Sequence, residues 1–174
     1  MQIVLAYDKL DDIRQLFQEY TAMLVETDET VKACLAAQGY GDELDHAEEK
    51  YGLPDGRLYG VCGDDGRLVG CAAIHRLGET CCELKRLYIQ PAYRGRGLSR
   101  LLMEQCIGEA KQIGYRQMRL DTASTGSTDF TKSRRTMIIP FRLFSCRRTC
   151  KKRLDLKRPP CAMLTAENVI CQEV

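Results

Sequence analysis

Two apolar segments separated by a tight turn constrain the fold most strongly. RLYGVC, at residues 57–62, and RLVGCAAIHR, at residues 67–76, flank Gly63-Asp64-Asp65-Gly66, a composition typical of a hairpin turn. A third segment, CCELKRLYI at residues 81–89, alternates its side chains as a strand does. The spacing therefore predicts three consecutive antiparallel strands.

An amphipathic helix is predicted directly downstream, over residues 98–113. Gly114 ends it, and YRQMRLDT is predicted to be a further strand. The short apolar run from Met1 to Ala6 predicts an opening strand, and helical patterns start near Leu10 and Glu29. The element order β, α, α, β, β, β, α, β predicts an α/β chain with a mixed, mostly antiparallel sheet flanked by helices.

The composition narrows the class of protein. The length of 174 residues fits one domain, and no apolar run reaches the length of a membrane span. The N-terminus lacks the pattern of a secretory signal, so the ten cysteines are expected to be reduced thiols in the cytoplasm. There are two histidines and no CxxC pair, and we expect no metal site.

The stretch YRGRGLS, residues 93–99, lies immediately before the predicted helix. The first turn of a helix has unpaired N–H groups and partial positive charge. Glycines in the preceding loop let several amides converge on an anion, and Arg94 and Arg96 add full charges. The pattern indicates a phosphate or pyrophosphate site, although a glycine-rich connection with solvated arginines has the same composition.

Two common phosphate-binding motifs are excluded. A Walker loop requires Gly-Lys-Ser/Thr, whereas Gly97 is followed by Leu98 and Ser99. A dinucleotide fingerprint requires a glycine at the position of Arg100. It also requires an opening βαβ unit, which the predicted hairpins exclude.

Residues 83–122, ELKRLYIQPAYRGRGLSRLLMEQCIGEAKQIGYRQMRLDT, closely resemble the central motif of the GNAT superfamily of acyl-CoA-dependent N-acyltransferases. The superfamily signature falls on Arg94, Gly97 and Ser99, where Ser99 replaces the usual glycine or alanine by another small residue. The resemblance extends over about residues 1–122 and implies a GNAT-like fold with acetyl-CoA as cofactor.

The resemblance also implies the cofactor-binding residues. Backbone groups of Leu87, Tyr88 and Ile89 would run beside the pantetheine arm, much as a further strand would. Backbone amides of the loop would bind the pyrophosphate of CoA; these belong to Arg94, Gly95, Arg96, Gly97, Leu98 and Ser99.

Glu83 resembles the position where many relatives carry a general base, so it is the candidate catalytic residue; an ordinary strand carboxylate is the alternative. His75 is a second candidate base, and a lone strand histidine is commonly structural. Cys81 and Cys82 are expected to be strand residues, because GNAT enzymes transfer the acyl group directly.

The sequence departs from the family after Thr122. Relatives continue with a helix that commonly supplies the tyrosine for protonating the CoA thiolate, and then with a last strand. Residues 123–174 contain no tyrosine, and they carry 11 basic and 4 acidic residues, a charge of +7 against −5 for residues 1–122. We therefore divide the chain into a GNAT domain, 1–122, and an atypical basic, cysteine-containing segment, 123–174.

A frameshift is our hypothesis for this segment. The genetic code allows codons for residues 127–140 whose shifted frame encodes a stretch similar to the missing family helix. Reading the coding DNA in the other two frames tests this. A genuine, divergent and poorly ordered basic tail is the alternative.

The leading functional prediction is acetyl-CoA-dependent N-acetyltransfer to a primary amine of a small molecule or peptide. The alternative is a catalytically impaired remnant that binds CoA or a partner. If the last strand is lost, the open sheet edge would favour a partner or a homodimer. A membrane partner is not expected, and nucleic acid is disfavoured because aromatic residues are few in the basic tail.

Overall fold

The computed structural model describes residues 1–27, 29–37, 39–123 and 134–141. The helices are α1 (Leu10–Thr27), α2 (Thr30–Ala37), α3 (Tyr40–Asp45), α4 (Ala47–Lys50) and α5 (Leu98–Ile113). The strands are β1 (Gln2–Leu5), β2 (Arg57–Cys62), β3 (Leu68–Arg76), β4 (Cys81–Ile89), β5 (Gln117–Ala123) and β6 (Arg134–Pro140). The predicted elements are thereby confirmed. The helical pattern that starts near Glu29 is divided into α2 and α3, and α4 and β6 are additions.

The strands form one mixed sheet in the order β1-β2-β3-β4-β5-β6. Neighbouring strands are antiparallel except β4 and β5, which are parallel. The parallel pair follows from the connection, since α5 carries the chain from the end of β4 back to the beginning of β5. The predicted α/β class with a mostly antiparallel sheet is confirmed.

Helices cover both faces of the sheet, as the alternation along β3 demonstrates. Ala72 and Ile74 are buried in the core beneath α5, whereas Cys71 and Ala73 are buried in the core beneath α1. Successive strand residues point to opposite faces, so both sides of β3 are apolar. This double burial explains why RLVGCAAIHR is a nearly continuous apolar run.

Strand β6 covers the edge of β5 that would be open if the C-terminal strands were lost. Residues Arg134–Pro140 pair antiparallel with Gln117–Ala123 along the whole of β5. Ile139 and Phe141 are buried in the core beneath α5, whereas Ile138 before them and Pro140 between them are exposed. The alternation of buried and exposed residues covers only a few positions. It is enough to bury one face of an edge strand, but it gives too weak a pattern to predict a strand in a basic segment.

The sheet thus extends to Pro140, beyond the predicted domain boundary at residue 122. The boundary itself and the frameshift hypothesis stay predictions, and the expected poorly ordered tail falls mostly outside the described residues. In the part of the chain that the structure describes, no helix combines the length and apolar character needed to cross a bilayer.

Candidate active site

The loop between β4 and α5 has open space beside its two glycines. Gly95 and Gly97 have φ values of +72° and +74°, which glycine adopts without steric cost. A Cβ atom at either position would meet no atom within 4 Å. Gly97 is the N-cap residue of α5, and no described side chain caps the helix. The first-turn amides, including those of Leu98 and Ser99, therefore keep their capacity to bind an anion.

The two arginine side chains of the loop do not extend freely from it. Arg94 Nε donates to the backbone oxygen of Ile89 at 3.0 Å, and its guanidinium lies 5.8 Å from the centre of the Tyr88 ring. Arg96 Nη2 lies 3.4 Å from the oxygen of Ala92. Both guanidinium groups remain beside the loop, so they make its electrostatic potential more positive. The backbone amides supply hydrogen-bond donors of fixed direction.

Strands β4 and β5 separate next to this loop. Cys81–Leu84 pairs with Gln117–Leu120, whereas the rest of β4, including Tyr88 and Ile89, pairs with β3. Among the described residues, no strand pairs with the other edge of this second half of β4. Leu87, Tyr88 and Ile89 thus border an opening that ends at the N-terminus of α5.

Glu83 lies at the closed end of this opening, and its side chain is buried. Its Oε2 lies 2.8 Å from His75 Nε2, and its Oε1 accepts from Arg119 Nη2 at 2.7 Å. The Lys85 ammonium is 4.0 Å from Oε2. The register brings these groups together, since Glu83 is opposite His75 on β3 and Arg119 on β5.

These contacts keep Glu83 ionised. Burial alone would raise the pKa of the carboxyl, but the hydrogen bonds from His75 and Arg119 outweigh it, and the pKa falls from 4.5 to about 2. Both nitrogens of the His75 ring face oxygen atoms, because Nδ1 lies 3.0 Å from the backbone oxygen of Arg76. His75 therefore acts as a neighbour that holds the Glu83 carboxylate in place.

A second buried carboxylate lies on the same face of the sheet. Glu43 of α3 contacts Arg86 Nε, Lys50 Nζ and the hydroxyl of Tyr51. Burial would raise its pKa, yet the hydrogen bonds from these partners, Arg86 above all, lower it to about 2. The ring of Tyr51 lies 5.9 Å from that of His75, which links the two clusters.

Sequence reasoning did not identify Arg119, Lys85, Arg86 or Glu43. Glu43 lies 40 residues before Glu83 in the chain, and only the packing of α3 against the sheet brings it to β4. Arg86 has φ +57° at a bulge where β4 contains one more residue than β3. The bulge directs Arg86 to the face that Lys85 and Glu83 occupy, which a strict strand alternation does not predict.

Cys81 and Cys82 both lie in β4, as expected. Burial raises the pKa of the Cys82 thiol to about 12, so it is protonated at neutral pH and is a poor nucleophile. The described residues contain no group of three or more histidine, cysteine or acidic side chains that could hold a metal ion.

The same architecture occurs in solved acetyltransferases. A GNAT-family acetyltransferase from Staphylococcus aureus superposes with a TM-score of 0.57 at 18% identity, over 70% of this chain and 72% of that chain. An aminoglycoside 6'-N-acetyltransferase in complex with coenzyme A gives a TM-score of 0.52 at 19% identity, over 71% and 63% of the two chains. The fold is therefore the GNAT fold.

Comparison of the sequence with known proteins identifies the family independently of the fold. The sequence model of the Acetyltransferase (GNAT) family matches residues 10–132. An uncharacterized N-acetyltransferase of Schizosaccharomyces pombe is 38% identical over 117 residues, which cover 67% of this chain and 68% of the relative. The chain belongs to the GNAT acetyltransferase family.

Proposed function

We propose that this protein is an acetyl-CoA-dependent N-acetyltransferase whose acceptor is a primary amine of a small molecule or peptide. One observation carries the proposal: the opening between β4 and β5 leads from the uncapped N-terminus of α5 to the ionised carboxylate of Glu83. Such a path suits a long cofactor with a pyrophosphate at one end and a thioester at the other. The cytoplasmic location expected from the sequence stays a prediction.

The residues present fit acetyl-CoA. Amides at the N-terminus of a helix suit the pyrophosphate, and here they belong to the loop and first turn at residues 94–99. The unpaired edge of Leu87, Tyr88 and Ile89 offers backbone donors and acceptors to the pantetheine arm. The coenzyme A complex of the aminoglycoside acetyltransferase, which has the same fold, is consistent with this assignment.

Glu83 is the proposed catalytic residue. Acetyl-CoA supplies an activated carbonyl, and the acceptor nitrogen must lose a proton to attack it directly. A carboxylate with a pKa of about 2 attracts the ammonium form of the acceptor but is a weak base toward it. We therefore assign two actions to Glu83: it would hold the ammonium by charge, and it would accept the proton, directly or through water, as the nitrogen–carbon bond forms and the thioester C–S bond breaks to release the CoA thiolate.

A non-catalytic CoA-binding remnant is the second candidate. It is favoured by the absence of tyrosine from residues 123–174, where relatives commonly carry the proton donor for the thiolate. Incubation with acetyl-CoA and a panel of primary amines, followed by mass spectrometry of the acetylated products, distinguishes the two. A remnant would bind acetyl-CoA and acetylate none of them.

Cofactor binding is tested by thermal melts with and without acetyl-CoA, on the protein and on two alanine variants. A ligand at about a hundred times its Kd stabilises by roughly 2.7 kcal/mol. Gly97→Ala and Gly66→Ala are matched, because both glycines have positive φ, +74° and +84°, and neither Cβ would meet an atom within 4 Å. We expect both variants to be mildly destabilised and only Gly97→Ala to lose the acetyl-CoA shift.

Two results would contradict this assignment of the cofactor site. The first is the absence of any acetyl-CoA shift in the unmodified protein. The second is an equal shift in both glycine variants, which would separate binding from the loop before α5.

A further inference from the structure

A row of three residues crosses β4, β5 and β6 on the face of the sheet that carries the Glu83 side chain. Glu83 is the cross-strand partner of Arg119 on β5, and Arg119 is in turn the partner of Ile138 on β6. Cross-strand partners project from the same face of a sheet. Neighbouring strands are about 4.8 Å apart, so Ile138 lies about 10 Å from Glu83 across the strands.

Ile138 is an apolar residue in an exposed position of this face. Its side chain is 56% exposed, whereas that of the next residue, Ile139, is 4% exposed and belongs to the core beneath α5. The solvated face of an antiparallel strand commonly carries polar residues. Here it carries Ile138 and, two positions further along the same face, the exposed Pro140. The outer strand therefore offers apolar surface on the side of Glu83.

The side chain between Glu83 and Ile138 continues this apolar surface. Arg119 donates to Glu83 Oε1 through both Nε and Nη2, at 3.2 and 2.7 Å, so its guanidinium lies toward β4. Its methylene groups therefore extend from β5 toward β4, and the side chain is 35% exposed. Arginine methylenes offer apolar surface while the charged end keeps its polar contacts. A ligand that extends from Glu83 across β5 meets these methylenes and then Ile138.

On its other side, Glu83 is enclosed by β3 and the residues packed on it. His75 Nε2 lies 2.8 Å from Glu83 Oε2, and the ring of Tyr51, which is buried, lies 5.9 Å from the His75 ring. Helix α1 packs against β3 and β4 on this face. An acceptor whose nitrogen is at Glu83 is therefore blocked over β3, and the row toward β6, the last strand of the described sheet, leads to exposed side chains.

A single exposed apolar side chain is ordinary in a folded protein. Ile138 differs from such a residue in its position, because it shares a row and a face with the carboxylate to which the acceptor nitrogen is assigned. Apolar surface in line with a charged group suits a ligand that is charged at one end and apolar along its length.

We propose that the acceptor is a primary amine with an apolar chain, and that Ile138 determines this specificity by packing against the chain about 10 Å from Glu83. The inference rests on the proposed acetyltransferase function and narrows its substrate class. The chemistry at the nitrogen is that assigned to Glu83, and Ile138 only stabilises the bound acceptor. The selectivity comes from methylene groups that leave water on binding.

A series of straight-chain primary amines tests the proposal on the full chain: ethylamine, butylamine, hexylamine and octylamine. All of them carry the same ammonium group and differ in the length of the apolar chain. Each is incubated with acetyl-CoA, and the N-acetyl product is quantified by mass spectrometry to give kcat/KM. We expect kcat/KM to rise by about tenfold or more from ethylamine to octylamine, because each buried methylene contributes up to about fourfold.

Two threonine variants separate Ile138 from other exposed apolar residues. Ile138→Thr and Leu5→Thr both place threonine, a residue that favours strands, on an outer strand. Leu5 is 46% exposed and lies on β1, at the opposite end of the sheet. We expect Ile138→Thr to reduce the octylamine-to-ethylamine ratio of kcat/KM by about fivefold, mainly through a higher KM for octylamine, because apolar contact is lost. Leu5→Thr should keep the ratio of the unmodified protein.

Three results would overturn the proposal. The first is a flat series, in which ethylamine is acetylated as well as octylamine. The second is an Ile138→Thr variant that keeps the dependence on chain length, since the apolar contact would then lie elsewhere. The third is a change in the sedimentation mass of Ile138→Thr with the same dependence on chain length, which would make this face an interface between two copies of the chain.

Failure of this inference and failure of the proposed function are distinguishable. Acetylation of other primary amines, with none of the alkylamines accepted, would overturn the inference and leave the acetyltransferase function standing. Acetylation of no amine at all would defeat both, and the melt with acetyl-CoA would then show whether cofactor binding remains.

Discussion

Glu83 combines a buried position with a full negative charge, and its neighbours account for this combination. His75 and Arg119 supply three hydrogen bonds, and Lys85 a nearby ammonium, to a side chain that is 5% exposed. The free energy of these contacts exceeds the cost of burying the charge, as the lowered pKa demonstrates. The carboxylate is thereby fixed in place before any substrate binds.

Replacing Glu83 with glutamine should lower kcat/KM by about 10² to 10⁴. Glutamine preserves the size of the side chain but neither attracts an ammonium nor accepts its proton. The rate is measured by mass spectrometry of the acetylated acceptor, and the acetyl-CoA shift in the melt should persist. Glu79→Gln, at an exposed position, is the control; a Glu83→Gln variant as active as this control would remove Glu83 from the mechanism.

Strand β6 is the element in which sequence and structure differ most. Two adjacent residues of β6, Ile138 and Ile139, are 56% and 4% exposed, because alternate strand residues point to opposite faces. Only Ile139 contributes to the core beneath α5. The strand also pairs with β5 over seven positions, so its contribution to stability includes backbone hydrogen bonds as well as apolar burial.

The two isoleucines give a matched test of β6. Ile139→Ala should lower the free energy of unfolding by about 2 to 5 kcal/mol, whereas Ile138→Ala should change it by no more than about 0.5 kcal/mol. Urea denaturation followed by circular dichroism measures both. Equal, small effects would mean that residues 134–140 do not form part of the folded sheet.

At the scale of the whole molecule, Glu43 and Glu83 hold helices and strands together. Glu43 joins α3 and α4 to β4, and Glu83 joins β3, β4 and β5. Both carboxyls have pKa values lowered from 4.5 to about 2. Their stabilisation is therefore complete above about pH 4.5 and is lost as the pH falls toward 2.

Acid should accordingly unfold the protein through these two groups. Between pH 5 and pH 2, we expect each to remove on the order of 3 kcal/mol from the free energy of unfolding. Urea denaturation at a series of pH values measures the loss. The Glu43→Gln variant should be less stable at pH 7 and should depend less steeply on pH; an unchanged slope would contradict this role for Glu43.

Local patterns were enough for most elements. The hairpin turn at residues 63–66, the apolar stripe of the helix at 98–113 and the glycines before it each act within a few residues, so the sequence predicted β2, β3 and α5 correctly. Glu83 and the loop glycines were identified in the same way, through a continuous motif. The register of β4 against β3 and β5, which gives Glu83 its partners, has no local signal.

The sequence by itself determined the class of fold, the family and the position of the glycine-rich loop before α5, because hydrophobic periodicity and a contiguous motif encode them. Tertiary structure alone decided that β6 pairs with the edge of β5, that the bulge at Arg86 directs this side chain toward Glu43, and that His75 of β3 and Arg119 of β5 meet Glu83. The physical reason is that these features depend on pairing and packing between residues far apart in the chain.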